Sequence, residues 1–363
     1  QRMSRGLGDV YKRQVNRMIP QHHKLAGLTV KTSNLCSEIT LPTGIDKEGR
    51  DRTAVCCLSS LNLEKYDEWK DDNNFIPDVM RMLDNVLTDF IEKAPESFSD
   101  ATYSALKERS VGLGVMGLHS YFQQKKIPFE SVMSKVWNKK IFSNIQKQVD
   151  QASKDLADER GPCPDAADYG INERFSNKTA IAPTASISII CGGTSPGVEP
   201  IAANSYTHKT LSGSFNVRNK HLTEVLEKYG KNDEETWSSI TTNQGSVSHL
   251  DFLSQNEKDV FKTAFELDQR WIVDLGADRT PHISQAQSIN IFIPADIHKK
   301  DLHQIHFQAW KKGLKSLYYC RSKSIQRAEN VNDASSTDVT ANVYKSKKQQ
   351  SDQPEYEECL SCQ

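Results

Sequence analysis

"VGLGVMGL", Val111 to Leu118, is a short apolar run rich in glycine. A run of this length and composition reads as a strand covered on both faces, running toward a close-packed turn. On its N-terminal side Ile76, Val79, Met80, Leu83, Val86, Leu87 and Phe90 recur at steps of three and four, which predicts a long helix with one buried stripe. On its C-terminal side Ile141, Ile145, Val149, Ala152 and Leu156 repeat that pattern until Gly161, Pro162 and Pro164 stop it. The alternation continues. "TAIAPTASISII", Thr179 to Ile190, reads as strand, loop and apolar element, and Val260, Phe261, Ala264, Phe265, Ile272 and Leu275 mark a further helix. "QSINIFIP", Gln287 to Pro294, reads as strand. A last helix through Leu302, Ile305, Ala309 and Trp310 leads directly into "SLYYC", where Tyr318 and Tyr319 stand at the end of a predicted strand. Strands alternating with helices of ten or more residues predict an α/β fold built from parallel units.

The bulk composition narrows the function. In 363 residues, 46 Lys and Arg stand against 47 Asp and Glu, a formal net charge of -1, so no basic field invites nucleic acid. With mean hydropathy of -0.62 and no apolar run of about 18 residues, neither a membrane span nor a secretory leader is expected, and the predicted location is cytoplasmic. In such a chain the eight cysteines are not expected to form a disulfide framework, and reduced, redox-active or metal-binding thiols are the live readings. No His clusters with them at zinc-finger spacing, so no metal site is assigned. Residues 1–14 lack any apolar period and look like adapter sequence, residues 15–322 form the folded region, and 323–363 turn too polar to bury a core and are expected to be a mobile tail.

Four features carry chemistry. In "SNLCSEIT", Ser33 to Thr40, the side chains of Asn34, Cys36 and Glu38 share one face if the segment is extended, bringing together an amide, a thiol and a carboxylate. The tail ends in "CLSC", so Cys359 and Cys362 form a dithiol on a flexible arm; thiol exchange needs that access, and an incidental or metal-catching pair is the rival reading. Cys56 in "AVCCLSSLNL" is a candidate internal thiol, against the plainer reading of small buried hydrophobes. Tyr318 and Tyr319 are either packing residues or a one-electron relay. "APTASISI" places Thr184, Ala185, Ser186, Ile187 and Ser188 at a strand-to-helix junction suited to an anion, or to an ordinary N-cap, and it has no Walker lysine.

"SNLCSEI", "CCLSSLNL", "APTASIS", "SLYYC" and the terminal "CLSC" together resemble, in order, the large catalytic subunit of class I ribonucleotide reductase. The resemblance implies the C-terminal part of a ten-stranded α/β barrel with an inserted finger loop, and reduction of ribonucleoside diphosphates by a thiyl radical. Under it Cys36 resembles the thiyl cysteine, Glu38 the carboxylate that takes the 3'-hydroxyl proton, and Asn34 the amide that binds the sugar. Cys56 resembles half of the reducing dithiol, chosen over Cys57 because the family pattern reads Cys-x-Leu-Ser. Tyr318 and Tyr319 resemble the radical relay, with Tyr318 nearer Cys36, and residues 184–188 the substrate's phosphate site. Cys359 and Cys362 resemble the shuttle that thioredoxin or glutaredoxin reduces. The resemblance also implies no cofactor bound in this chain, a radical-generating metal centre on a small partner subunit, a homodimer of the complete chain, and effector sites and a second active-site cysteine in an N-terminal half not present here. The 363-residue chain is therefore expected to be inactive alone. A non-catalytic module that keeps the docking surface and tail is the alternative, and a general thiol oxidoreductase is a weaker one.

Overall fold

The computed structural model describes residues 11–210 and 213–322. Strand Cys57–Asn62 pairs in parallel with Val111–Met116, in register from Cys57 opposite Val111 to Asn62 opposite Met116. Leu113 bridges in parallel to Thr179, and Ile181 in parallel to Gln287. Strand Ile291–Ile293 then pairs in parallel with Cys320–Ser322. Five segments thus follow one another in space in chain order as a parallel arc, each joined to the next by a helical crossover or a longer excursion.

The strand that opened the sequence reading is buried at every residue from Val111 to Met116. Its two inner glycines have a packing reason. A Cβ on Gly114 would overlap the Ala180 carbonyl oxygen, and one on Gly112 would overlap Leu58 and press on the Cys56 sulfur. The helices on either side form as expected. Phe75–Lys93 buries Ile76, Met80, Leu83 and Leu87, whereas Val86, placed in the stripe by its spacing, is 49% exposed. Val132–Arg160 starts at Ser131, whose side chain accepts from the Ser134 N–H, and ends at Gly161 with φ +86°. These two helices and the arc close over one core that includes Leu113, Val115, Ile145, Phe175, Ile289 and Ile291. A second, smaller cluster around Leu222, Leu226, Trp237 and Ile240 forms between helices Lys220–Lys228 and Glu234–Thr242.

Two expectations are corrected here. The apolar positions from Val260 to Leu275 do not lie on one helix: Val260 ends Gln255–Val260, Ile272 and Leu275 lie on Gln269–Arg279, and Phe261, Ala264 and Phe265 fall in the turn between them. Between them the Glu266 carboxylate accepts from the Thr263 N–H and hydroxyl, and Asp268 caps the second helix through the Arg270 N–H, so local side-chain bonds outcompete helix continuation. Tyr318 and Tyr319 precede the final strand rather than end one, already held to the neighbouring segment by Tyr318 N–H to Ile289 O and Ile291 N–H to Tyr319 O. At the N-terminus, Tyr11 donates its N–H to the Lys315 carbonyl and its hydroxyl to the His306 carbonyl. No helix among the described residues is long and apolar enough to cross a membrane.

Candidate active site

Asn34 and Glu38 are hydrogen-bonded to each other, and the Cys36 backbone carbonyl shares Ser288 with Glu38, by a different route from the extended one. The segment turns: the Ser37 N–H donates to the Asn34 carbonyl at 3.1 Å, and Ser37 has φ +66°. That left-handed conformation is costly for serine and is held by its hydroxyl on the Leu317 carbonyl, 3.2 Å away. Asn34 folds back to accept from the Ile39 N–H at 3.1 Å. Across the loop, the Ala286 N–H donates to the Glu38 carbonyl at 2.8 Å, which fastens it to the fourth segment of the arc.

Glu38 is 2% exposed. Burial pushes its carboxyl above the usual carboxylate range, opposed by hydrogen bonds from Asn34 and Ser288. The Ser288 hydroxyl lies 2.5 Å from the Cys36 carbonyl and 3.0 Å from Glu38 Oε2. With a single hydrogen to give, that hydroxyl satisfies one acceptor fully, and a protonated Glu38 supplies the second donor. The site can therefore hold a proton on Glu38 without losing its bonds.

The Cys36 thiol donates to the Tyr318 hydroxyl at 3.5 Å. Tyr318 is 4% exposed, and burial, then the Cys36 contact, push its hydroxyl well above the ordinary phenol range, so it stays protonated. The Tyr318 and Tyr319 ring centroids are 3.9 Å apart at an interplanar angle of 33°. A continuous path thus runs from Tyr319 through Tyr318 to the Cys36 sulfur.

Cys56 receives a hydrogen bond from Gln285 Nε2 at 3.3 Å, and burial pushes its thiol up to about 12. At the junction after Ile181, Thr184 has φ +57° and opens helix Ala185–Ile190 without capping it. Its hydroxyl instead accepts from the Gly197 N–H at 2.7 Å. Ser186 and Ile187 face solvent, Ser188 is buried with its hydroxyl on the Ala185 carbonyl, and the apolar element expected here leaves Ile189 and Ile190 53% and 83% exposed. Cys359 and Cys362 lie outside the described residues. Among the described residues no group of three or more His, Cys, Asp or Glu is placed to hold a metal ion.

The model of the ribonucleotide reductase barrel domain matches residues 7–169 and 165–320. The chain belongs to this family. It is 52% identical over 300 residues to the ribonucleoside-diphosphate reductase large subunit of Invertebrate iridescent virus 6, covering 82% of this chain and 31% of that protein. It is 45% identical over 325 residues to the large subunit of Invertebrate iridescent virus 3, covering 89% and 50%. Among solved structures it is similar to the Actinobacillus ureae class Id ribonucleotide reductase alpha subunit, with a TM-score of 0.80, 38% identity, and coverage of 87% of this chain and 57% of that one. The chain thus spans about a third to a half of the length of these viral relatives, and the parallel arc is part of the family's barrel.

Within this reductase barrel, three residues missed by the sequence reading hold the site. Gln285 reaches Cys56, Ser288 lies between Cys36 and Glu38, and Lys315 donates from Nζ to the carbonyls of Ile283, Ser284 and Gln285 at 2.9, 2.7 and 2.7 Å. A signal was present: Gln287 and Ser288 are polar residues that open the run read as a strand, with Gln285 two positions before it, and buried polar groups are found where something binds them.

Proposed function

We propose that this chain is the C-terminal part of the catalytic subunit of a class I ribonucleoside-diphosphate reductase, and that Cys36, Glu38, Asn34 and Cys56 carry its chemistry. The observation that carries the reading is the contact of Cys36, on the loop that also presents Glu38, with Tyr318, whose ring lies tilted against that of Tyr319 at 3.9 Å. In this reading an oxidising equivalent arrives from a metal-bearing small subunit through Tyr319 and Tyr318. Tyr318 as phenoxyl takes the hydrogen atom of the Cys36 thiol, leaving a thiyl radical and a restored phenol. Cys36 then removes the 3' hydrogen of the ribose, and Glu38 takes the 3'-hydroxyl proton. The 2'-hydroxyl leaves as water, with Asn34 binding the sugar. Cys56 and a cysteine of the N-terminal half supply two electrons and two protons as they form a disulfide, and the same hydrogen is returned to the 3' carbon.

Support for the proton role comes from the raised carboxyl of Glu38, since general acid–base groups work best when their affinity lies near ambient pH. The substrate diphosphate is assigned to residues 184–188, whose first-turn N–H groups have no side-chain cap. Cys359 and Cys362 re-reduce the site and are themselves reduced by thioredoxin or glutaredoxin. Effector nucleotides and the homodimer contact are assigned to the N-terminal half, and the location is cytoplasmic.

The test joins this chain to the N-terminal barrel half of a relative and supplies the small subunit and thioredoxin. Tyr318→Phe, which keeps the ring and removes the transferable hydrogen, is expected to bind the small subunit normally and produce no deoxynucleotide. Normal turnover would reduce the tyrosine pair to packing and remove the reading.

A further inference from the structure

Gln285 is fully buried, and its side chain touches both halves of the proposed chemistry. Nε2 donates to Cys56 Sγ at 3.3 Å and to the Val111 carbonyl at 3.1 Å. Oε1 accepts from the Thr40 N–H at 3.1 Å, at the end of the loop that carries Cys36 and Glu38. Its backbone is equally fixed, with its N–H on the Thr179 carbonyl at 3.0 Å and its carbonyl receiving Lys315 Nζ.

These bonds decide which way the amide points. Thr40 offers only an N–H at this contact, so the amide oxygen must face it and the amide nitrogen must face the sulfur. Turning the amide over would oppose two N–H groups and leave Val111 without its donor, which buried groups do not tolerate. An N–H aimed at sulfur favours the thiolate over the thiol and so works against the burial that raises Cys56.

We propose that Gln285 is a positioning residue that holds the Cys56 sulfur, favours its ionisation, and ties it to the Cys36 loop, so that the radical-bearing loop and the reducing thiol keep one register. The catalytic meaning of this rests on the reductase reading above; its physical content is thiol reactivity, which can be measured on this chain alone.

The experiment follows iodoacetamide alkylation of individual cysteines by peptide mass spectrometry, in a Cys57→Ser background, at several values between about pH 8 and about pH 10. Because the fraction of thiolate sets the rate, one unit of pKa reads as about tenfold. Gln285→Met removes both donor and acceptor; it is expected to slow Cys56 about tenfold and to speed Cys36, whose loop has lost the Thr40 tie. Gln285→Glu keeps an acceptor for Thr40 but puts negative charge beside the sulfur; it is expected to slow Cys56 at least as much and to leave Cys36 unchanged. A purely structural role would give the opposite sign, because loosening exposes Cys56 and speeds it. Unchanged or faster Cys56 alkylation in both variants, with the fully buried Cys163 still unreactive, overturns the proposal. If Cys163 becomes reactive in either variant, the reading passes to Gln285→Asn, whose amide is withdrawn by one methylene and must show the same slowing of Cys56, or the proposal fails. These rates do not depend on turnover, so failure of the reductase reading would appear separately, in the Tyr318→Phe assay.

Discussion

At Lys315, burial and hydrogen bonding pull in opposite directions. Burial pushes its amine down to about 7, yet three backbone carbonyls surround Nζ. Those carbonyls belong to residues 283–285, which have no strand partner for them and lead directly into Gln285 and Ser288. Lys315→Met keeps the stem and removes the donors, stranding three buried acceptors. Urea unfolding is expected to show a loss of about 3 kcal/mol, since each unpaired buried carbonyl costs about 1 kcal/mol or more. A variant as stable as the unmodified chain would mean that water replaces the amine there. Ser37 illustrates the same economy on the loop, where a left-handed residue is held by its own hydroxyl on Leu317.

Among the elements, the strand Val111–Met116 sets how closely the arc can pack. Gly112 and Gly114 both face Ala180, but their neighbours differ in stiffness. At Gly114 the obstruction is the Ala180 backbone, which cannot move without breaking the Leu113 to Thr179 bridge. At Gly112 the nearest obstruction is the end of the Leu58 side chain, which can rotate. Gly114→Ala is therefore expected to destabilise by about 3 kcal/mol and Gly112→Ala by roughly 1 to 2 kcal/mol, within the range of overpacked cores. Equal losses in thermal unfolding would contradict this ranking. Gly112→Ala also crowds Cys56, whose sulfur lies beside the added methyl.

Over the whole molecule, pH dependence follows from carboxyls shut away from water. Glu108 and Glu199 are buried, and burial pushes both up to about 7 from an ordinary value of 4.5. The folded chain holds their protons more tightly than the unfolded one. Their contribution to stability is complete below about 4.5 and is lost as pH rises through about 7. Glu199→Gln, which cannot ionise, is expected to be more stable than the unmodified chain at about pH 8 and to lose that advantage at about pH 5. Urea midpoints at the two values check it, and an advantage that does not change with pH would sink it. At the same scale, if the proposed function holds, Cys359→Ser in the enzyme completed with an N-terminal half should slow turnover with thioredoxin and spare it with a small dithiol, because under that reading only the protein reductant works through the terminal cysteine pair. Equal slowing with both would assign Cys359 elsewhere.

Much of this was legible in the sequence because periodicity is a local property. The helices Phe75–Lys93 and Val132–Arg160 and the buried strand Val111–Met116 all declare themselves through spacing, a cap or a glycine stop. The motif order from "SNLCSEI" to "SLYYC" pointed to the reductase barrel for the same reason: each piece is contiguous. What sequence could not supply was any relation between distant pieces. Asn34, Cys36 and Glu38 sit on a turn rather than on an extended strand, because Ala286, Ser288 and Leu317 grip the loop from more than 240 positions away. The break between Val260 and Gln269 rests on side-chain bonds that an apolar count does not see. Gln285, Ser288 and Lys315 had no motif, only the oddity of polar groups in a buried setting, and their partners are carbonyls, an N–H and a sulfur brought near by the fold. Residue type and spacing determined the elements and the family; long-range hydrogen bonds to Tyr318 and Gln285, whose side chains only the fold brings to Cys36 and Cys56, decided how its thiols are held.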